Sequence, residues 1–199
     1  KAPAGIRIEA LYGSLPAESW MAQNNEDGAL DTLLSLNRAL AEAGHGVRDL
    51  HPGQQIAFRG ATVEVLGVRN PELTTNPVNN QSAVWRVDGG GASILFLGDL
   101  GAEAGEKLLA SPYRSRLKAD YVQMAHHGQS GVTEAFYQAV NPTFALWPTP
   151  QWLWDNDTGG GRGSGPWETL TVRGWMDELN VRKHFVSKDG VCRLDIGTR

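Results

Sequence analysis

Short apolar segments alternate with amphipathic segments along this chain, and the alternation limits the folds that it can adopt. Apolar runs predict two β-hairpins, 56–58 with 61–68 and 83–87 with 93–97, the second turning at the glycines of DGGGA. Further strands are predicted at 5–13, 119–125 and 143–147, and helices at 27–43, 102–110 and 133–140. Hairpins interleaved with amphipathic helices predict a layered α/β or α+β fold, organised as a single domain over 1–199.

The segment 148–166 differs in composition from the rest of the chain. It is rich in tryptophan and glycine and contains the run GGGRGSG, which predicts a long loop. Pro166 then predicts the start of a helix with a buried stripe formed by Trp167, Leu170, Gly174 and Leu179. A last hairpin is predicted from 184–186 and 191–196, with its turn at Asp189-Gly190.

Composition and charge exclude several classes of protein. The 199 residues include 22 Asp or Glu and 18 Lys or Arg, which gives a formal net charge of −4. There is no basic run, so charge does not indicate a module dedicated to nucleic acid. No apolar run approaches the ~20 residues that cross a bilayer, and we expect no membrane insertion of this chain. The single cysteine, Cys192, rules out an intramolecular disulfide and a cysteine-cluster zinc site.

Two of the predicted strands end in polar side chains. Asp99 follows the strand ILFL and Gly98, and His126 and His127 follow the strand DYVQMA. Strand ends are where α/β folds build their sites, and carboxylate oxygen with imidazole nitrogen is a ligand set for Zn²⁺ or Mn²⁺. Successive side chains of a strand point to opposite faces. Both histidines therefore serve one site only if the chain turns there, as Gly128 permits.

Each of these residues also has a structural interpretation. Asp99 precedes a predicted helix, so its carboxylate could cap that helix. One of the paired histidines could be a hydrogen-bonded packing residue. We interpret the remaining histidines as structural or solvated: His45, His51 and His184. The loop tryptophans Trp152 and Trp154 could form a substrate surface that binds a quaternary ammonium group, a sugar or a base, or they could cover the core.

Three motifs occur in an order that resembles a known family. They are NPVNNQSAVWRV, SILFLGDL and ADYVQMAHHGQSG, followed by a helix and the strand NPTFALW. This order resembles the second half of a metallo-β-lactamase-fold hydrolase. It is most similar to the branch that contains the C-terminal domain of the bacterial DNA-uptake channel and the phosphorylcholine esterases. The resemblance covers 50–196, is densest over 79–147, and implies the second half of an αββα sandwich.

The resemblance also implies roles for individual residues. Asp99 matches the carboxylate that bridges two metal ions, and His126 matches the late histidine ligand. His127 would then face the substrate as a catalytic residue, and the reverse assignment of the two histidines stays open. Asn80 and Ser82 match a segment that braces the metal loops. Gln129 departs from the family signature, which has serine at that position.

The family's first metal motif, H-x-[HD]-x-D-H, does not occur in the chain. We therefore expect this chain to be the C-terminal part of a longer hydrolase domain, with two Zn or Mn ions in the intact protein. There the metal-bound hydroxide would attack a small or polymeric ester, most often a phosphodiester, and nucleic acid is one candidate. The chain alone is expected to be inactive, to bind metal weakly and to self-associate through an uncovered apolar face. The alternative is a non-catalytic binding domain that uses the tryptophan-rich loop.

Overall fold

A computed structural model describes residues 7–26, 28–58 and 60–194 of the protein. A small parallel pair of strands, β1 (Leu11–Gly13) and β2 (Val47–Asp49), is joined by helices α1 (Glu18–Gln23) and α2 (Ala29–Glu42). Parallel strands need a crossover connection, and the two helices provide it. Helix α2 confirms the predicted helix at 27–43. The strand predicted at 5–13 is shorter than expected, because only its last three residues pair and Ile8 is exposed. Residues 5, 6 and 27 lie outside the described residues.

A seven-stranded mixed sheet forms the centre of the fold, with its strands side by side in chain order. They are β3 (Gln55–Phe58), β4 (Ala61–Gly67), β5 (Val84–Gly89), β6 (Ala92–Phe96), β7 (Tyr121–Gln123), β8 (Phe144–Trp147) and β9 (Lys183–Val186). Both predicted hairpins are confirmed, as antiparallel β3–β4 and β5–β6. Gly90 and Gly91 turn the second hairpin with φ angles of 58° and 78°, which two-residue hairpin turns require. Strands β6 to β9 pair in parallel.

Helices connect the parallel strands and cover one face of the sheet. The crossover helices are α3 (Ala102–Leu109), α4 (Glu134–Val140) and, after the single turn α5 (Gln151–Trp154), α6 (Thr169–Glu178). The core lies between these helices and the sheet, and its largest members include Leu95, Met124, Phe136, Tyr137, Trp147 and Met176. The predicted α/β class is confirmed. Among the described residues, no helix is long and apolar enough to span a bilayer.

The opposite face of the sheet is apolar but only half-buried. Cross-strand partners Trp85 and Phe96 lie on it, and so do Tyr121 and Phe144, whose rings stack 4.6 Å apart. Phe58 on the outermost strand is 61% exposed. An open apolar depression of about 540 Å³ runs across strands β3 to β6 on this face. Strands that are apolar on both faces are typical of a sheet that is covered on both sides.

The predicted helix start at Pro166 is wrong, because helix α6 begins at Thr169. Asn156 holds the preceding segment out of the helix: its amide donates to the carbonyl of Gly165, and its side-chain oxygen accepts from the backbone N–H of Trp167. The buried side chains of α6 are Thr169, Val172 and Met176. Of the predicted stripe, Leu179 packs against the core, whereas Trp167, Leu170 and Gly174 are not among the buried side chains, so the predicted stripe is wrong at these three positions.

The predicted last hairpin, 184–186 with 191–196, is wrong over the residues that the structure describes. Strand β9 is followed by a short 3-10 turn, Ser187–Asp189, and 190–194 form no strand; residues 195 and 196 lie outside the described part. The hydroxyl of Ser187 and the backbone N–H of Lys188 both donate to the carbonyl of Thr149. These bonds direct the chain toward the loop after β8 instead of back along β9.

Replacement of Phe136 by alanine tests the location of the core. The ring is fully buried between α4, α3 and the sheet, so we expect Phe136→Ala to lower the free energy of unfolding by about 3–5 kcal/mol. Phe58→Ala is the matched control on the uncovered face and should cost about 1 kcal/mol or less. Urea unfolding followed by circular dichroism measures both. Equal losses would mean that the two faces of the sheet are covered alike.

Candidate functional site

Asp99 lies just beyond β6, at the edge of the sheet where the parallel strands end. Gly98 before it has a φ of 57°, and the backbone N–H of Asp99 donates to the Ser82 hydroxyl over 3.1 Å. The Asp99 side chain is 42% exposed. Gly101, not Asp99, is the cap residue of α3, so the interpretation of Asp99 as a helix cap is wrong.

Asn80 caps helix α3 from a distance. Its side-chain oxygen accepts from the backbone N–H of Ala104, and its amide donates to the carbonyl of Thr75 and to the Glu103 carboxylate. Asn80 is fully buried, and a Cβ atom at Gly101 would come within 2.4 Å of its oxygen. Asn80 thus ties the start of α3, directly after Asp99, to the segment that carries Ser82.

The two histidines lie on a turn of left-handed backbone, residues 125–128, which we call the histidine turn. Three consecutive residues have positive φ angles: His126 at 48°, His127 at 60° and Gly128 at 86°. The chain was expected to turn here with the help of Gly128. The structure shows that the histidines themselves take up the left-handed conformation, which is unfavourable for residues with a Cβ atom.

Buried neighbours hold the histidine turn on both sides. The backbone N–H of Ala125 donates to the Tyr137 hydroxyl over 3.1 Å, and burial raises the pKa of that hydroxyl well above its usual range. The N–H of His126 donates to the carbonyl of Gly98 over 3.0 Å. On the other side, the hydroxyl of Thr149 donates to the carbonyl of His127. These bonds connect the turn to α4, to the Asp99 segment and to the loop after β8.

The geometry brings His127, rather than His126, next to Asp99. Nε2 of His127 lies 3.7 Å from Oδ1 of Asp99, while Nδ1 lies 2.9 Å from the carbonyl oxygen of Pro148. A carbonyl can only accept, so Nδ1 carries a proton, and in the neutral form of the ring Nε2 presents a lone pair to the carboxylate. Two facing acceptors repel each other unless a proton or a cation lies between them.

His126 points to a different part of the site. Its Nε2 lies 3.5 Å from the amide nitrogen of Asn79, and its Nδ1 lies 3.5 Å from the carbonyl of Ser130. The centroids of the two imidazole rings are 6.2 Å apart. His126 also lines a groove of about 650 Å³, whose walls include Leu15, Met21, Leu33, Val78 and Asn79.

Asp99 and His127 are placed so that they could supply two ligands of a metal site, but a complete site needs more than two. With ligand bonds of about 2.1 Å at a tetrahedral angle, neighbouring ligand atoms lie about 3.4 Å apart, close to the 3.7 Å between Nε2 and Oδ1. Zinc sites use three or four protein ligands. In the described part of the chain, no three His, Cys, Asp or Glu side chains group in a way that could hold a metal.

The candidate substrate tryptophans differ in how accessible they are. Trp154 packs edge-on against Trp147, and the guanidinium of Arg173 lies 3.8 Å above its ring, so its surface is largely in use. Trp152 is 50% exposed and meets Trp167 at a centroid distance of 4.8 Å. The carbonyl of Trp167 accepts from the backbone N–H of Ser130, which lies just after the histidine turn. Of the two candidate tryptophans, Trp152 is the one with a free aromatic surface.

The segment 148–166, predicted as a loop, contains the helical turn α5, and the part after this turn is folded around Asp157. Oδ1 of this residue accepts from the backbone N–H groups of Gly159 and Gly161 and from the Ser164 hydroxyl. These bonds lower the pKa of the Asp157 carboxyl below its usual value, the Gly159 bond most. The Asp157 carboxylate therefore stabilises its own loop.

Comparison with known proteins adds distant relatives. ComE operon protein 3 of Bacillus subtilis (strain 168) is 30% identical over 110 residues, which are 55% of this chain and 14% of that protein. Competence protein ComA of Neisseria gonorrhoeae is 36% identical over 69 residues, 34% of this chain and 10% of that protein. The chain thus spans a small part of the length of each relative. No protein-family profile matches it.

Among solved structures, the metallo-β-lactamase fold protein YhfI from Bacillus subtilis matches 74% of this chain and 54% of its own chain. Its sequence identity is 11% and its TM-score is 0.42. The sequence resemblance is confirmed at this level: parts of the chain are distantly related to two competence proteins.

Sequence reasoning missed the residues that hold the histidine turn. Tyr137 and Thr149 carry no motif, and their contacts are made across 12 and 22 positions of the chain. Trp147 was assigned only to the end of a strand. The signal that points to it is Gly128, since a glycine after two histidines indicates close approach by another group.

Gly128→Ala tests how tightly the turn is packed. A Cβ atom at Gly128 would lie 2.3 Å from the Trp147 ring. The matched control is Gly91→Ala, where φ is 78° and nothing lies within 4 Å. We expect Gly91→Ala to cost about 1–2 kcal/mol of unfolding free energy from backbone strain alone. Gly128→Ala should cost about 1–3 kcal/mol more because of overpacking.

Urea unfolding followed by tryptophan fluorescence measures both glycine variants. Equal costs for the two substitutions would contradict a close contact between Gly128 and Trp147.

Proposed function

We propose that this chain supplies part of the active site of a metal-dependent hydrolase, with Asp99 and His127 as ligands of the same ion. The observation that carries the proposal is the 3.7 Å separation of Nε2 and Oδ1, with the imidazole tautomer set by the Pro148 carbonyl. This assignment reverses the roles first expected for the two histidines. A hard carboxylate and an imidazole favour Zn²⁺ or Mn²⁺.

The chain's own residues would then orient the site and receive the substrate. Ser82 holds the backbone of Asp99, and Asn80 holds the start of α3 behind it. His126 and Asn79 face the 650 Å³ groove, where they would contact a substrate group. When bound, a metal ion of this kind polarises an ester and makes a water molecule nucleophilic near neutral pH. The substrate class we propose is an ester, with phosphodiesters first.

The remaining ligands would come from outside the described residues. Two donors near one another are too few for a catalytic metal, and the relatives that match this chain are about seven to ten times longer than the matched region of each. The apolar, half-buried face of the sheet supports the same proposal. A second layer of the hydrolase domain would cover Trp85, Phe96 and Phe144 and bring the missing ligands to the sheet edge.

A non-catalytic binding domain is the second candidate. The observation that favours it is Trp152, half exposed beside Trp167 and close to the histidine turn. An aromatic surface of this kind can stack on a sugar or a base or hold a quaternary ammonium group. Trp152→Ala separates the two candidates. It should weaken ligand binding if the loop is the binding surface, and it should leave metal content unchanged in either case.

Metal binding by the protein in its natural length tests the first proposal. We expect Asp99→Ala and His127→Ala each to lower zinc affinity by more than about 100-fold, beyond the effect of losing a residue that only supports a ligand. Hydrolysis of a phosphodiester probe should fall with it. His126→Ala should have the smaller effect on zinc affinity, and His45→Ala should have none.

Zinc affinity is measured by competition with a coloured chelator. Full occupancy in the Asp99 variant, with unchanged turnover, would overturn the proposal. A larger loss for His126→Ala than for His127→Ala would restore the original order of the two histidines.

The uncovered face predicts the behaviour of this 199-residue chain on its own. Large exposed apolar surfaces drive association, so we expect concentration-dependent self-association in sedimentation velocity, and weak zinc binding. Phe96→Lys should shift the chain toward the monomer, whereas Leu34→Lys, on the exposed surface of α2, should not. A stable monomer holding two tightly bound metals per chain would contradict the half-site interpretation.

A further inference from the structure

We propose that Trp147 and His184 are positioning residues that hold the histidine turn from beneath. The functional importance of this inference rests on the proposed function, because the turn carries the proposed ligand His127. Its evidence is separate: a chain of contacts that runs from His184 on β9 through Trp147 on β8 to Gly128.

The first contact is between the indole and the glycine. Trp147 is 1% exposed, and its six-membered ring packs directly on Gly128, where no Cβ atom would fit. Gly128 needs its left-handed conformation to end the turn. The indole therefore fixes the position of the third left-handed residue, and through it the direction of His127.

The second contact fixes the indole. Nε1 of Trp147 donates to Nδ1 of His184 over 2.9 Å. An indole nitrogen can only donate, so Nδ1 of His184 must be unprotonated and the ring must be neutral with its proton on Nε2. Trp154 packs edge-on against the same indole at a centroid distance of 5.2 Å, and the hydrogen bond adds a directional contact to this packing.

Protonation of His184 is incompatible with this arrangement. An added proton on Nδ1 would face the indole N–H, and two donors cannot bond. Two charged groups on α6, Arg173 and Asp177, act on the His184 ring. A third, Lys188, follows β9 and lies 5.7 Å from the neighbouring Trp154 ring. Burial lowers the pKa of His184 below its ordinary value of 6.5; Arg173 adds to the effect and Asp177 opposes it.

The direction of the pH dependence follows from these groups. A histidine whose pKa is lowered in the folded protein stabilises the fold in its neutral form. This contribution is fully present at pH values above the pKa of the histidine in the unfolded chain, which is near 6.5. That contribution is lost as the pH falls from 6.5 through the lowered pKa. Acid should therefore release the indole and loosen the histidine turn before the rest of the fold.

Nuclear magnetic resonance on the 199-residue chain, at a concentration where sedimentation shows the monomer, tests this chain of contacts, the His184–Trp147–Gly128 relay, without metal or substrate. The probes are the indole N–H resonance of Trp147 and the hydrogen-exchange protection of the Ala125 and His126 amides, with the Val122 amide of β7 as an internal reference. In the wild-type chain the indole resonance should move as the pH falls below 6.5, and protection of the two turn amides should fall by about tenfold, the effect of losing one net hydrogen bond.

Two substitutions at His184 separate the acceptor from the charge. His184→Asn retains an acceptor oxygen near the Nδ1 position and cannot be protonated, so its turn should stay protected at every pH. His184→Leu removes the acceptor, so the turn should be less protected at every pH, with Val122 unchanged. Should the leucine variant not fold, Trp147→Phe removes the donor while a ring stays on Gly128, and it should abolish the pH dependence.

The relay is wrong if the leucine variant protects Ala125 and His126 as the wild type does. It is also wrong if Val122 loses protection to the same extent as the turn, since His184 would then support only the fold in general. Neither result bears on metal binding by Asp99 and His127, so failure of the relay and failure of the proposed function can be told apart.

Discussion

The left-handed histidine turn is the constraint on which the candidate site depends. Left-handed backbone costs roughly 1–2 kcal/mol for each residue with a Cβ atom, and His126 and His127 both adopt it. The conformation persists because the surroundings determine it: Tyr137 on one side, Thr149 on the other and the Trp147 indole on Gly128. Strain that is held in this way is typical of functional sites. Without the turn, the histidines would alternate across a strand and point to opposite faces.

The chemical consequence of the turn is the pairing of His127 with Asp99. The Pro148 carbonyl fixes the proton on Nδ1, and the lone pair of Nε2 then faces a carboxylate that is held by Ser82. Two acceptors this close are stable only with a proton or a cation between them, and the cation is the alternative that we propose. Two ligands are too few for a catalytic metal site. The sheet is also incompletely covered, because aromatic side chains lie half-buried on one of its faces. The second layer that we propose would supply both the missing ligands and the cover.

Sequence reasoning found the fold class, both hairpins and the edge of the sheet where the site lies, because strand periodicity and glycine turns are local signals. Asp99 and the histidine pair stood out because polar side chains followed buried strands. The order of the histidines could not be predicted, since a strand pattern gives alternate faces and the left-handed conformation depends on contacts from distant segments.

The errors at the C-terminal end have a similar cause. Pro166 is an ordinary helix-start signal, but hydrogen bonds from Asn156 keep the chain out of the helix for three more residues. The expected final hairpin is diverted by bonds from Ser187 and Lys188 to the carbonyl of Thr149. In both places a side chain or carbonyl far along the sequence overrides the local preference.

The most direct test of the central claim is a crystal structure of the natural-length protein grown with zinc, with anomalous scattering used to locate the metal. We predict a zinc ion bonded to Nε2 of His127 at about 2.0–2.1 Å and to a carboxylate oxygen of Asp99 at about 2.0–2.2 Å. A zinc site that uses neither residue, or that binds His126 while His127 keeps its distance, would contradict the account.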